Sequence, residues 1–359
     1  MIYHYTVLHF SGRIAPSGVL SMGYCGVSFF FVLSGFILAY NYGDRDFSDA
    51  KIFRSYIWAR VARIYPLYVC GLLLGLPFFI AELLRSTGSA QIGTLAAIPL
   101  APLALQSWFP EATSRWNGPG WAVSTQFFFY LIFPWVVGPA LRRPGRWALI
   151  AVLGFVITNG IYLGLQQLIN GDYRILAVKE EDSAIGYSLA EMVKFFPLGR
   201  WPEFLAGILT FSLWKRHGDR IHNGAMLALF LIATAFLIMI QPIAPLTVLH
   251  NGGALIAVVP LVLYGAGVSQ GWLLTKPMLA LGQLSFAVYL LHMPVLNIML
   301  SLDKRIFVGL LTRDLWVMTA LAIIMAFAVS ATFSALVERP MRRYLLRAQT
   351  AARPTPANT

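Results

Sequence analysis

The chain has 359 residues, of which 58% are hydrophobic and only 12% are charged. Soluble domains carry about 25% charged residues, so this composition places the chain in a lipid bilayer and excludes an ordinary soluble domain. Its formal net charge of +12 would otherwise suggest a nucleic acid partner. The basic residues lie in short loops between apolar segments, where membrane topology accounts for them. We therefore expect a bilayer as the environment and no nucleic acid as a partner.

The first apolar segment, Met1–Phe10, is shorter than the roughly 20 residues that cross a bilayer. We interpret it as the second half of a transmembrane helix whose first half is missing from the sequence. Nine fuller spans follow, at about 25–42, 65–84, 121–141, 147–169, 201–214, 225–240, 250–267, 279–302 and 315–336. The pattern predicts an all-α integral membrane protein, a polytopic bundle of about ten transmembrane helices with the first truncated at its N-terminus.

Other segments are too short or too polar to span. Thr94–Leu105 is apolar but carries two prolines, which favours a re-entrant or interfacial segment. We expect residues 1–347 to form a single membrane domain and residues 348–359 to form a disordered cytoplasmic tail.

The distribution of charge supports this topology. If the span 25–42 runs from outside to inside, the cytoplasmic segments hold 17 of the 27 Lys and Arg residues but only five of the 15 Asp and Glu residues. This asymmetry follows the positive-inside rule and predicts a cytoplasmic C-terminus.

Two histidines lie on the first apolar segment, at His4 and His9. Imidazole suits proton transfer near neutral pH, and an ionisable group within a membrane span is a functional hypothesis by default. The alternative is an interfacial histidine without a chemical role. We take both residues as candidates for a catalytic base.

Arg60 and Arg63 lie where the chain enters the predicted span at 65–84. Their spacing of three places both guanidinium groups on one helix face, where they can hold a phosphate bidentately. An ordinary positive-inside anchor is the alternative. Ser34, in the middle of the uncharged and aromatic-rich segment 27–42, is a further candidate to line such a site.

Polar residues also occur in the predicted span at 121–141 and in the segment just before it. Asn117, Trp121, Ser124 and Gln126 belong to the string NGPGWAVSTQFFFYLIFP. We expect them to face the interior of the bundle, either lining a site or making interhelical hydrogen bonds.

Glu203 is the one acid that we place inside a span. It either pairs structurally with Arg200 or binds substrate. His292 precedes Pro294, which should kink the helix, and we favour a structural role for His292. The sequence gives no pattern that predicts a metal site.

Taken in order, these strings resemble the acyltransferase-3 family of integral-membrane acyltransferases, which includes bacterial enzymes that O-acetylate polysaccharides, O-antigen and Nod factors. The similarity covers most of the chain. It rests on His4-Tyr5, Gly23–Phe36, Arg60–Tyr68, Trp121–Pro134, Pro202–Gly207, Ser285–His292 and Val337–Arg343.

The resemblance implies acetyl-CoA, or another acyl-CoA, as the donor substrate. It implies His4 as the base, with His9 as the alternative, and Arg60 and Arg63 as contacts to the donor. The family usually has Glu where this chain has Gln126, which keeps the hydrogen bonds but cannot take a proton.

The resemblance therefore predicts a multi-pass enzyme of a bacterial inner membrane that transfers an acyl group, acetyl in the first instance, to a hydroxyl of a cell-envelope or secreted glycan. Three alternatives remain open from sequence. They are a transporter or flippase of a glycan or lipid-linked sugar, an acyltransferase that acts on a small molecule or a lipid, and an inactive family member.

Overall fold

The computed structural model describes residues 4–5, 22–170, 192 and 194–351, and all regular secondary structure in this part of the chain is helical. The longer helices are α1 (Cys25–Tyr42), α2 (Ala50–Arg85), α3 (Gly88–Leu100), α4 (Trp121–Arg142), α5 (Pro144–Asn170), α6 (Pro197–His217), α7 (Asn223–Ile240), α8 (Leu255–Gly267), α9 (Lys276–Arg305), α10 (Leu315–Phe333) and α11 (Arg339–Ala351).

Eight segments of the described residues are helical, long and apolar enough to cross a membrane. They are Met22–Tyr42, Ala50–Arg85, Gly118–Arg142, Pro144–Leu168, Asn223–Ile240, Leu249–Gly267, Lys276–Arg305 and Leu315–Arg347. The prediction of an all-α polytopic membrane protein is therefore confirmed.

The predicted span at 201–214 corresponds to α6, which is longer than expected, at 21 residues. Helix α6 packs against α1, α4, α5 and α8 in the middle of the bundle. It contains the buried ionic residues Arg200 and Glu203, which make it less apolar than its neighbours. A central helix tolerates them because its surface meets protein rather than lipid.

Parts of two predictions lie outside the described residues. Of Met1–Phe10, only residues 4 and 5 are described, and His9 is not among them. Residues 348–351 of the predicted tail continue α11, while 352–359 also lie outside the description.

Helix α2 begins 15 residues before the predicted span at 65–84, at Ala50. The carboxylate of Asp49 caps it by accepting from the backbone N–H of Lys51 at 2.7 Å. At 36 residues the helix is about 54 Å long, well over the roughly 30 Å of a hydrocarbon core. Arg60 and Arg63 therefore lie within this helix, with the shared face that their spacing predicts.

The segment between α2 and α4 does not cross the bundle. Helix α3 has 13 residues, too few to span a bilayer, and short 3₁₀ turns at 106–108, 110–112 and 118–120 lead on to α4. This agrees with the prediction that Thr94–Leu105 is not a transmembrane helix.

Two glycines allow α1 and α6 to touch backbone to backbone. A Cβ atom on Gly35 would collide with the carbonyl oxygen of Phe204, and one on Gly207 would collide with the carbonyl oxygen of Val32. Small residues permit this kind of close helix crossing in membranes. The contact fixes α1, which contributes one wall of the cavity described next.

Candidate active site

A cavity of about 280 Å³ lies between α1, α2, α4 and α9. Its walls are mostly apolar and aromatic, and the polar groups come from all four helices. Four residues proposed from sequence line it, namely Ser34, Arg60, Arg63 and Gln126. Residues far apart in the chain therefore converge on one site.

The two arginines at the cavity differ in their surroundings. The Nη2 of Arg60 donates to the hydroxyl of Tyr42 at 2.9 Å, and the guanidinium lies 5.1 Å from the centre of the Tyr42 ring. Its Nε is buried without a hydrogen-bond partner in the described structure. Arg63 is exposed and makes no hydrogen bond or ion pair with any described residue. One arginine is thus held in place, and the other is available to a ligand.

A hydrogen bond between α1 and α4 forms part of the cavity wall. The Nε2 of Gln126 donates to the hydroxyl oxygen of Ser34 at 2.8 Å. Both residues line the cavity, so this pair presents uncharged polar groups beside the two arginines.

His4 lies outside the cavity, against α9. Its Nδ1 is 2.6 Å from Nε2 of His292, and the hydroxyl of the adjacent Tyr5 donates to the carbonyl oxygen of His292 at 2.9 Å. His292 is 1% exposed. The structure therefore gives His292 a direct contact with the candidate base, which the sequence interpretation did not foresee.

Tyr289 lies between the cavity and the histidine pair. It lines the cavity, and its ring centroid is 6.1 Å from that of His292, one helical turn along α9. Phe30 packs against it at a centroid distance of 5.9 Å. The Tyr289 hydroxyl is buried and has no hydrogen-bond partner among the described residues. Tyr289 thus contacts both the cavity and His292 of the histidine pair.

Asn117 does not line the cavity. Its Nδ2 donates to the carbonyl oxygen of Leu290 at 3.1 Å. Pro294 has no N–H with which to pair that carbonyl inside α9, so Asn117 replaces the missing bond. This bond ties the segment before α4 to α9 and corresponds to the hydrogen-bonding alternative that the sequence left open for Asn117.

Helix α4 shows the same arrangement at its own proline. Pro134 leaves the carbonyl of Tyr130 without its helical partner, and the hydroxyl of Tyr56 on α2 donates to it at 3.2 Å. Tyr130 also lines the cavity, so this bond helps to place the α4 wall.

Trp121 and Ser124 do not line the cavity, and both bond to Ser107 in the segment that precedes α4. The hydroxyl of Ser107 donates to the carbonyl oxygen of Trp121 at 2.7 Å. The backbone N–H of Ser107 donates to the hydroxyl oxygen of Ser124 at 3.3 Å. The α4 wall of the cavity comes instead from Ala122, Val123, Gln126 and Tyr130. Trp121 and Ser124 therefore position the start of α4.

Glu203 also lies away from the cavity, in a buried ion pair. Its carboxylate is 3.0 Å from Nη2 of Arg200 and accepts from the hydroxyl of Ser28 at 2.8 Å. Arg200 donates further to the carbonyl oxygen of His250. This cluster joins α6 to α1 and to the turn before α8, so the structure favours the pairing that was one of the two readings from sequence.

The sequence interpretation did not include several polar residues of the cavity wall, among them Tyr289 and Glu338. Glu338 accepts a hydrogen bond from the hydroxyl of Ser334 at 2.7 Å. Both residues lie inside strings that carried the family resemblance, Ser285–His292 and Val337–Arg343. The strings were a usable signal, but only the fold shows which of their side chains reach the cavity.

The fold and this site define a multi-pass membrane protein with two arginines at a cavity and a pair of histidines that contacts Tyr289 of the cavity wall. A family profile described as an acyltransferase domain matches residues 1–337. The chain belongs to this family, the acyltransferase-3 family, and the protein is a membrane enzyme that transfers acyl groups.

Two curated relatives are similar to parts of the chain. Acyltransferase MdmB of Streptomyces mycarofaciens is 29% identical over 295 residues, which is 78% of this chain and 70% of that protein. Protein 2 in picA locus of Rhizobium radiobacter is 39% identical over 79 residues, which is 22% of this chain and 39% of that protein. No solved structure matches the chain.

Proposed function

We propose that the protein moves an acetyl group from acetyl-CoA to a hydroxyl of a cell-envelope or secreted glycan. The observation that supports this best is the order of groups from the cavity along α9: Arg60, Arg63 and Tyr289 line the cavity, and the His4–His292 pair lies one helical turn from Tyr289. Acyl transfer to a hydroxyl needs cations for a phosphate-bearing donor and a base for the hydroxyl proton.

The cavity fits the acyl end of such a donor better than the whole molecule. Its volume of about 280 Å³ is near the lower end of the roughly 300–1,000 Å³ typical of small-molecule sites. In this proposal the acyl group and part of the thioester arm enter the cavity. The phosphates stay near Arg63, which is exposed and has no described partner, and near the unpartnered Nε of Arg60.

The donor supplies an activated acyl group as a thioester when it is bound. His4 accepts the proton of the acceptor hydroxyl as that oxygen bonds to the acyl carbon, and it then returns the proton to the departing thiolate. Gln126 and Ser34 contribute uncharged hydrogen-bonding groups to the wall beside the acyl chain. No step in this scheme requires an acid at position 126.

The proposed location is a bacterial inner membrane, with the C-terminus in the cytoplasm. This orientation places Arg60 and Arg63 on the side where acyl-CoA is available. The acceptor then binds within the bilayer or from the outer side, towards the histidine pair.

The test is the O-acetyl content of envelope and secreted glycans in cells that make the wild type or His4→Ala at equal membrane abundance. We expect acetylation with the wild type and its loss in His4→Ala. His217→Ala, which alters an exposed histidine at the end of α6, is the matched control and should leave acetylation intact.

Other outcomes separate the alternatives. Acetylation that persists in His4→Ala but disappears in His9→Ala would move the base to His9. Wild-type membranes that take up or move a glycan without consuming acetyl-CoA would replace the proposal by transport. Wild-type transfer of acetyl to a lipid or small molecule alone would replace the glycan as the acceptor.

A further inference from the structure

The protons of the histidine pair can be placed from its hydrogen-bond partners, beginning with the buried His292. The Nδ1 of His292 lies 2.7 Å from the carbonyl oxygen of Tyr289 and 3.2 Å from that of Val288. A carbonyl oxygen can only accept, so this nitrogen carries the hydrogen. In a neutral imidazole the other nitrogen, Nε2, is then the acceptor.

His4 presents its Nδ1 to that acceptor. The two nitrogens are 2.6 Å apart, the ring planes differ by 9° and the ring centroids are 4.8 Å apart. With the two nitrogens so close, the ring centroids can lie 4.8 Å apart only if each nitrogen points at the other and the two rings lie in nearly one plane. This is the geometry of a hydrogen bond. His4 therefore donates from Nδ1, and the unprotonated nitrogen of its neutral ring is Nε2.

We propose that His292 is a positioning residue that holds His4 in the tautomer whose basic nitrogen is Nε2. The inference rests on the proposed function, in which His4 is the base. When His4 takes a proton at Nε2, its Nδ1–H becomes a charge-assisted donor to His292, which strengthens the bond at the moment when the charge forms. His292 thus selects the reactive nitrogen of His4 and stabilises the imidazolium without touching the substrate.

The surroundings keep His292 in place for this role. The hydroxyl of Tyr5 donates to its carbonyl oxygen, and the Tyr5 side chain is itself fully buried against Leu296, Met318 and Ala322. These contacts bind the segment that carries His4 to α9 and α10, so the two rings are held at a fixed separation. A rigid partner of this kind is what orients a general base.

The direct test is nitrogen NMR on wild-type protein in bilayers with ¹⁵N-labelled histidine rings. The chain has six histidines, few enough to assign by single substitution. We expect a protonated Nδ1 and an unprotonated Nε2 for His4, and a scalar coupling across the bond between Nδ1 of His4 and Nε2 of His292. An unprotonated Nδ1 of His4, or the absence of that coupling, would overturn the proposal whatever the activity.

The functional test compares two substitutions of His292. His292→Gln keeps an acceptor oxygen near the position of Nε2, whereas His292→Leu removes it. General bases contribute about 10²–10⁴-fold, so we expect kcat to fall roughly 10–100-fold in His292→Leu, with the KM for acetyl-CoA unchanged, and to recover largely in His292→Gln.

A double substitution separates positioning from general damage. If His292 acts through His4, adding His292→Leu to His4→Ala should lower the residual rate no further. Additive losses would overturn the positioning role. Wild-type protein with the NMR coupling but without any acetyl transfer would instead refute the proposed function, so the two failures can be told apart.

Discussion

At the scale of single residues, the two arginines of the cavity differ in their contacts with the rest of the protein. Arg60 donates to Tyr42 and lies within 6.0 Å of the centre of the Tyr56 ring, so its loss would disturb α1 and α2 as well as any ligand. Arg63 lines the same cavity and has no described partner. Arg63 is therefore the better probe of donor binding.

We expect Arg63→Gln to raise the KM for acetyl-CoA while the fold is kept. Loss of one charge-assisted hydrogen bond costs about 1.5–3 kcal/mol, which corresponds to a KM roughly 10–100-fold higher. Initial rates at varied acetyl-CoA concentration would measure it.

Arg54→Gln is the matched control for this change, because Arg54 is exposed on the same helix and does not line the cavity. An equal rise of KM in Arg54→Gln would mean that general surface charge, not a site at Arg63, attracts the donor.

Sequence reasoning identified four of the cavity residues, because arginine pairs and polar residues within apolar spans are rare enough to stand out. It could not tell these residues from Asn117, Trp121, Ser124 and Glu203, which also carry hydrogen-bonding groups. Whether a polar side chain turns to a cavity or to a neighbouring helix depends on helix rotation, and the apolarity on all sides of these helices leaves that rotation undetermined. Tyr289 was missed because an aromatic residue in a membrane span carries no signal of its own.

At the scale of helices, prolines free carbonyls that other helices then satisfy. The Asn117–Leu290 bond is the clearer case, because Pro294 removes the helical partner of that carbonyl. The bond also fixes α9 within a turn of Tyr289 and His292, and so supports both the cavity and the histidine pair.

We expect Asn117→Leu to lower the free energy of unfolding by about 1–3 kcal/mol, because it leaves the buried Leu290 carbonyl unpaired. Adding Pro294→Ala restores a backbone N–H for that carbonyl, so Asn117→Leu should cost much less in that background. Unfolding in SDS, followed for all four proteins of the cycle, measures the difference. Equal costs in both backgrounds would show that Asn117 stabilises the protein in some other way.

The crossing of α1 and α6 gives a second test at this scale. A methyl group on Gly207 must push the Val32 carbonyl away, and such overpacking costs about 1–3 kcal/mol. We expect Gly207→Ala to destabilise the protein and to reduce activity, since α1 carries Ser34 on the cavity wall. Thermal unfolding in detergent and acetyl transfer would measure both effects.

Gly26→Ala on α1 provides the control, because no described atom lies within 4 Å of its added methyl group apart from its chain neighbours and the backbone of its own helix. This substitution should be neutral or slightly stabilising, since alanine is the better helix former. If both variants behaved alike, the close crossing would not be what holds α1 in place.

At the scale of the whole molecule, the sequence was sufficient for the spans and insufficient for their arrangement. Apolar length marks a membrane helix because unpaired backbone polar groups are costly in lipid, so nearly every predicted span has its helix. The extension of α2 before residue 65 was missed because polar residues such as Lys51 and Arg54 obscure a helix that leaves the bilayer. The central place of α6 was also not predicted, because its buried Arg200–Glu203 ion pair lowers the apolarity of the segment and makes it look like a weak transmembrane span.

The orientation of the bundle supplies the last prediction, because it decides which compartment provides the donor. The charge asymmetry predicts that Arg143 and Tyr344 lie inside and Ile306 outside; all three are exposed. We expect a membrane-impermeant maleimide to label Ile306→Cys in intact cells. Arg143→Cys and Tyr344→Cys should react only after permeabilisation. The background is Cys25→Ser with Cys70→Ser, which removes both native thiols. The reverse pattern would put Arg60 and Arg63 outside, away from cytoplasmic acyl-CoA, and the proposed donor would have to be abandoned with the orientation.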